Sequence, residues 1–369
     1  MSCFHPCFIQ KFVNPYNSDD FECKFISSDY AKNILECREI LEGKYQGSAT
    51  VDDVYFSSCG GKLVQFIQIP CGKCIGCRID YKRSWADRLT YHSFGKEDNS
   101  YFITLTYDDD HLFHLPYNED YDIYSIDFND ITDFIQKLRN KFKKNMVIDS
   151  NGVPQGIDYF YACEYGDSSF RCHAHLILFN LPLEDLEYFG LDDNGQPVYV
   201  SNTIDDLWQK GIHTISRFTW HNAAYVAGYV EKKLKGRRQD EYTALGLFPE
   251  GCRMSRRPGL AFDYYVNNYS DIWKNNGLDV DRTINSSGHL GIPRYFRKLA
   301  TDGVVLKKGS EPVKLGFDEF NAWRKRTNDL SNTLNPLKVE RTSFDLSRVR
   351  QMLEFEEREI LSRSKNRKL

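Results

Sequence analysis

The sequence predicts an α+β fold built on an antiparallel sheet of split β-α-β type, with helices on one face. Three observations carry this. Four short runs rich in β-branched and aromatic residues read as strands: Tyr101–Tyr107 (YFITLTY), Ile157–Glu164 (IDYFYACE), Arg171–Asn180 (RCHAHLILFN) and Ile212–Phe218 (IHTISRF). Helical patterns fall between the first and second runs, and again between the third and fourth. Only turn chemistry, YGDSSF, separates the second from the third, so those two form an antiparallel hairpin.

Taken in order, roughly the first ~95 residues are cysteine-rich and weakly periodic. A helix follows the first strand over 126–144. Phe128, Ile131, Phe134, Ile135, Leu138 and Phe142 share one face, while Lys137, Arg139, Lys141, Lys143 and Lys144 fall largely off it. Ser125 or Asp127 caps its start. A short helix over Ile204–Lys210 stops at Gly211. Asn222 then caps a helix over Ala223–Lys235 that ends at Gly236. This order leaves the second face of the sheet free for a site. Beyond Gly236 the chain reads as loop-rich with short ambiguous elements, and a last amphipathic helix spans Phe344–Leu361. The expected organisation is a cysteine-rich region over 1–95, a core over 96–240 and an extension with a basic tail over 241–369.

The composition, 41% hydrophobic and 27% charged, is that of an ordinary globular protein. A net charge of −4 argues against a surface coated in positive charge, so any nucleic-acid contact must be local. Three basic segments qualify: Glu231–Arg238 (EKKLKGRR), Arg253–Arg257 (RMSRR) and Arg363–Lys368 (RSKNRK). Each reads equally as a solvated face. The start, MSCFHPCFIQKF, lacks a secretory layout, and no apolar run approaches membrane-spanning length. The eleven cysteines are therefore expected in a reducing cytoplasm, as metal ligands or structural thiols. No G-x-x-x-x-G-K-[ST] occurs, which excludes an ATP-driven motor built on that loop.

His173 and His175 sit two apart in a strand and so point to the same face. Such a pair is either an ordinary sheet feature or the start of a divalent-metal site. Glu164, across the hairpin turn, supplies a carboxylate for a facial set of two imidazoles and one acid. Tyr225 and Tyr229 are four apart on a helix and stack on one face, with Lys232 and Lys233 on the next turn. They are either packing residues or nucleophiles. A phenol titrates near ~10, so attack requires a polarised phosphate and a nearby cation. Cys71, Cys74 and Cys77 form C-x2-C-x2-C, and Cys3 or Cys7 offers a fourth thiolate for a structural Zn²⁺. An iron–sulfur cluster is the rival, although the usual closing Cys-Pro does not follow, and metal-free thiols are the third reading.

In combination and order, these stretches resemble the HUH endonucleases that initiate rolling-circle replication. More narrowly, they resemble the replication initiation proteins of Microviridae, the small single-stranded DNA phages, of gokushovirus type. Phe102–Asp108 (FITLTYD) resembles the family's first motif. Glu164-Tyr165-Gly166 with Arg171–His175 (RCHAH) resembles the metal motif, and Tyr225–Lys233 (YVAGYVEKK) the nucleophile motif. Pro70–Arg78 (PCGKCIGCR), Met254–Gly259 (MSRRPG) and Pro293-Arg294-Tyr295 also resemble this branch. Cys172 stands where proline is usual and Ala174 where a larger residue is usual; neither position supplies a ligand.

The resemblance implies an HUH palm and metal-dependent nicking and rejoining of the phage origin, single-stranded or supercoiled, in a host bacterium's cytoplasm. It also implies Tyr225 and Tyr229 as alternating nucleophiles, and His173, His175 and Glu164 as ligands to Mg²⁺ or Mn²⁺. Lys232, or else Lys233, sits on the phosphate. Host helicase and polymerase are the implied partners, and one chain carrying both tyrosines suggests a monomer. A single-strand transposase or relaxase is the alternative within the same chemistry, and a noncatalytic zinc-binding DNA-recognition protein the alternative outside it.

Overall fold

A computed structural model describes residues 7–14, 17–26, 63–72, 74–112, 124–149, 152–166, 171–192, 195–229, 242, 244, 246–306 and 311–327. The described residues up to Asp80 form one compact unit, and those from Tyr81 onward a second.

In the first unit, β1 (Cys7–Asn14) lies between β2 (Asn17–Ile26) and β3 (Leu63–Ile69) in a three-stranded antiparallel sheet. Polar residues such as Gln10, Lys11 and Gln65 interrupt the apolar positions, which is why the periodicity reads as weak. A 19-residue helix, α1 (Ile75–Ser93), starts here and continues into the second unit. It too escapes sequence reading, because Asp87 and Arg88 lie on its packed side. Asp87 is buried, and Arg88 stacks between the rings of Trp85 and Tyr295.

The second unit is built on β4 (Tyr101–Tyr107), α2 (Phe128–Lys141), the small hairpin β5 (Val147–Ile148) and β6 (Pro154–Gln155), and the hairpin β7 (Asp158–Tyr165) and β8 (Cys172–Phe179). A second hairpin, β9 (Leu186–Leu191) and β10 (Pro197–Ser201), leads to α3 (Asn202–Trp208), β11 (Gly211–Arg217) and α4 (Trp220–Tyr229). The remainder is β12 (Gly251–Met254), α5 (Phe262–Lys274), the pair β13 (Leu278–Asp279) and β14 (His289–Leu290), α6 (Arg294–Asp302) and a helix over 317–327. Seven strands form one sheet in the order β12-β7-β8-β4-β11-β10-β9, and every neighbouring pair is antiparallel.

At its centre the predicted split arrangement holds. β4 and β7 both pair antiparallel with β8, which lies between them, and β8 and β11 likewise flank β4. The crossover helices α2 and α3 share one face. Phe134, Ile135, Leu138 and Trp208 pack there against Ile103, Leu105, Cys163 and Leu176. Asp127 is the cap of α2, accepting from the Asn129 N–H at 2.7 Å. The helix predicted over Ile204–Lys210 runs from Asn202 to Trp208, capped by Ser201 and ended by Gln209 in the left-handed conformation.

The expectation of helices on one face alone is corrected. α1 and α4 lie on the opposite face, where Ala86, Leu89, Ala223 and Val226 pack on Phe160, Ile177 and Phe179. The reason is visible in the strands. Their second face is apolar over half its length, and water contact there costs about 25 cal/mol per Å². α4 covers it closely because its inner positions are small: Ala223, Ala224 and Ala227. The cap of α4 is also corrected. Thr219 Oγ1 accepts from the Asn222 N–H at 3.1 Å, so Asn222 lies inside the helix, not at its boundary. The segment after Gly236 carries α5 and α6, whose Tyr265, Trp273 and Phe296 build a further aromatic core with Tyr91. The helix expected over Phe344–Leu361 lies outside the described residues. Among the described residues, no helix is long and apolar enough to cross a membrane.

Gly211 is required by geometry. Its φ is +140°, and a Cβ would lie 2.2 Å from the Thr106 carbonyl oxygen and 2.5 Å from the Asp108 N. That close approach lets β11 start against β4 with Gly211 opposite Tyr107.

Candidate active site

Alternation along β4, β7 and β8 divides the second face. One end, Phe102, Phe160, Ala162, Ile177 and Phe179, is apolar and packs under α1 and α4. The other end presents Glu164, His173, His175, Thr104 and Thr106. Register brings these together: Glu164 faces His173 across the hairpin, while Thr104 faces His175 and Thr106 faces His173 from β4.

Glu164 Oε1 lies 2.8 Å from His175 Nε2 and 3.5 Å from His173 Nε2. One ligand atom from each of the three residues lies within 4.8 Å of the others. Donors about 2.0–2.2 Å from a common cation stand roughly 3 Å apart at right angles, so these residues fit a divalent ion. Burial supports the fit, since Glu164 and His175 are only 5% and 6% exposed and a carboxylate so placed is stabilised by a positive partner. Thr104 Oγ1 is 3.1 Å from His175 Nδ1. When Nε2 offers its lone pair to a cation, Nδ1 carries the proton and the threonine hydroxyl accepts it, fixing tautomer and ring angle. Phe102 stacks on the same imidazole, with centroids 5.8 Å apart and planes at 11°.

Cys163 and Cys172 alternate to the opposite face. Burial pushes both thiols up, that of Cys172 to about 12, so they remain neutral core groups. Burial likewise pushes the Tyr165 phenol up to about 12, and its hydroxyl donates to the Phe248 carbonyl at 2.7 Å.

α4 brings the nucleophile candidate to this cluster. Its apolar positions face the sheet, which turns Tyr225 to the helix edge, 41% exposed. The Tyr225 hydroxyl is 3.5 Å from His175 Nε2, and its ring meets His175 and Phe102 edge-on. The helix start is tied to α1, because the buried Asp87 carboxylate accepts from Trp220 Nε1 at 2.8 Å and from the Gly291 N–H at 3.0 Å. Tyr229 ends α4 four residues on, hence on the same helical face by backbone position, but its side chain lies outside the described residues, as do Lys232 and Lys233. Lys82 of α1 passes beside the helix, its Nζ 3.8 Å from where a Cβ on Gly228 would sit.

Thr104, Phe102 and Lys82 were not legible as site residues. The sequence shows the first two only as alternating strand positions, and nothing in it pairs residue 82 with residue 228. At the second cluster, the Cys71, Cys74 and Cys77 sulfurs lie within 4.8 Å of one another, while Cys3 is outside the described residues.

An antiparallel α+β sheet bearing a carboxylate–imidazole cluster beside a helix-borne tyrosine defines a candidate metal centre with a nucleophile in place. Comparison with known proteins then gives the family. The profile of the replication-associated protein ORF2 family matches residues 100–234, which span the sheet, the cluster and α4. The replication-associated protein ORF2 of Spiroplasma virus 4 is 35% identical over 228 residues, 62% of this chain and 66% of that protein. The replication-associated protein VP4 of Bdellovibrio phage phiMH2K is 36% identical over 194 residues, covering 52% and 58%. The replication-associated protein ORF4 of Chlamydia phage 1 is 28% identical over 269 residues, covering 70% and 58%. The alignments thus span less than two thirds of each relative's length. The chain is a relative of the replication-associated proteins of Microviridae-type phages. No solved structure matches it.

Proposed function

We propose that this chain initiates rolling-circle replication of a phage genome, nicking the viral strand at its origin through a phosphotyrosine and later rejoining that strand into a circle. The observation that carries the reading is the Tyr225 hydroxyl, 3.5 Å from His175 Nε2 inside the Glu164–His173–His175 cluster. The names of the relatives as replication-associated proteins support it, as does the split sheet, read here as an HUH palm.

His173, His175 and Glu164 would hold a divalent ion. Once bound, that ion polarises the scissile phosphate and offsets charge that builds in the transition state. Two imidazoles make the set rich in nitrogen for Mg²⁺, so Mn²⁺ or another transition metal suits it better. The Tyr225 oxygen attacks phosphorus, its proton passing to solvent or a neighbouring base. The bond from phosphorus to the 3′ oxygen breaks, and that oxygen leaves as a 3′-OH able to prime synthesis. The 5′ phosphate stays on the tyrosine as a diester, so the energy of the broken bond is kept and no ATP is needed to rejoin. Phe102 and Thr104 hold His175 in place throughout. Tyr229 would cut the regenerated origin, whereupon the new 3′-OH attacks the first phosphotyrosine and closes the circle. Lys232, with Lys233 second, would neutralise the phosphate. The chain would act as a monomer in the bacterial host's cytoplasm, borrowing host helicase and polymerase.

The test is cleavage of end-labelled single-stranded DNA carrying the phage's own origin, with Mn²⁺ or Mg²⁺, scored as covalent adduct. Wild type should form a metal-dependent adduct that Tyr225→Phe weakens or abolishes and Tyr225→Phe/Tyr229→Phe eliminates. Origin binding without adduct in the wild type would instead favour a noncatalytic DNA-recognition protein.

A further inference from the structure

The cysteine cluster belongs to none of this chemistry. We propose that Cys71, Cys74 and Cys77 bind one structural zinc ion, and that its fourth ligand is Cys7, the first residue of β1.

Four observations support the site. The three sulfurs lie within 4.8 Å of one another, and Cys71 and Cys77 Sγ are 3.9 Å apart. Sulfurs at about 2.3 Å from a tetrahedral zinc are roughly 3.8 Å from each other, so the cluster is already at ligand spacing. The Cys74 N–H donates to Cys71 Sγ at 3.3 Å, an arrangement that stabilises a negative sulfur. Cys74 and Cys77 are 7% and 8% exposed and flank the start of α1, whose positive end favours anionic ligands. Finally, register in the first sheet sets Cys7 directly opposite Ile69, two residues before Cys71. No other pairing brings a cysteine's backbone to this loop among the described residues. Cys3 lies four residues further out along the chain.

On binding, each ligating thiol gives its proton to solvent as a sulfur–zinc bond forms, with no change in oxidation state. The ion would close a loop from β1 through β3 to the first turn of α1, all within the first unit. A strand hairpin with polar interruptions gains in this way an anchor that its apolar surface does not supply. An iron–sulfur cluster is disfavoured because no Cys-Pro closes the run.

The experiment uses the full chain, purified under reducing conditions with zinc present and then dialysed against a weak chelator. Metal content is read by elemental analysis, and a cobalt-exchanged sample by visible absorption. One zinc per chain is expected, retained in His173→Ala/His175→Ala, which separates this site from the proposed catalytic centre. Cobalt should give the intense bands of tetrahedral thiolate coordination. Cys74→Ser and Cys7→Ser should lose stoichiometric zinc, whereas Cys3→Ser should keep it. Trace zinc in the wild type, a brown iron–sulfur chromophore, or full zinc in Cys74→Ser would each overturn the site. Zinc lost from Cys3→Ser but kept by Cys7→Ser would overturn the fourth ligand. If the serine variants prove insoluble, the wild-type stoichiometry and cobalt spectrum still decide.

Discussion

Thr104→Val removes a single hydroxyl at nearly constant volume, and the consequence can be worked from the structure. Thr104 Oγ1 sits 3.1 Å from His175 Nδ1, on a side chain only 7% exposed. Without it, a buried N–H has no acceptor, a penalty of about 1–3 kcal/mol of stability if the ring stays in place. A ring freed to rotate relieves that penalty but no longer aims Nε2. Loss of such an orienting partner typically weakens metal binding about 10–100-fold, or roughly 1.4–2.7 kcal/mol. The assay is calorimetric titration of Mn²⁺, which thiolate sites take poorly, into the folded full-length variant. DNA nicking should fall at low Mn²⁺ and recover at saturation. A dissociation constant within about threefold of wild type, beside a His175→Ala control that no longer binds, would refute the orienting role.

Three further outcomes are expected. Gly228→Ala should raise stability by up to about 1 kcal/mol in chemical denaturation, because its φ is not positive and the added Cβ meets Lys82 only at 3.7 Å, an ordinary contact; a loss of stability would mean that α4 sits closer to α1 than described. Gly211→Ala should cost more than about 2 kcal/mol, since its φ of +140° and the 2.2 Å approach to the Thr106 carbonyl leave no room for a side chain; a thermal midpoint equal to wild type would count against this register of β11. His92 is held below its ordinary 6.5 by burial, which outweighs the opposing Asp158 carboxylate. The unfolded chain therefore binds a proton that the native state resists, so stability is full above about pH 6.5 and declines as pH falls below it. Urea midpoints at about pH 7.5 and 5.5, with chelator present, should differ in that direction and differ less in His92→Gln; a midpoint that rises on acidification would refute the sign.

Much of this protein can be read along the chain. Strand alternation in RCHAHLILFN puts His173 and His175 on one side, and the six-residue turn behind it makes the hairpin that sets Glu164 beside them. The 3.6-residue period of 128–141 gives α2 and its buried Ile131, Phe134, Ile135 and Leu138. These are short-range properties, written within one element or one turn. α1 is illegible because its packed side carries Asp87 and Arg88, each stabilised by partners far away: Asp87 by Trp220 and Gly291, Arg88 by the Leu260 carbonyl. Thr104 meets His175 across 71 residues and Tyr225 meets it across 50. The same is true of the second face. The sequence shows that half of it is apolar but not which helices cover it. Local periodicity determined the strands, the crossover helices and the pair of histidines. Only tertiary pairing decided that α1 and α4 close over the apolar half of that face and leave the polar half with a tyrosine at its edge, because contact between distant segments depends on which surfaces fit, and no single segment records that.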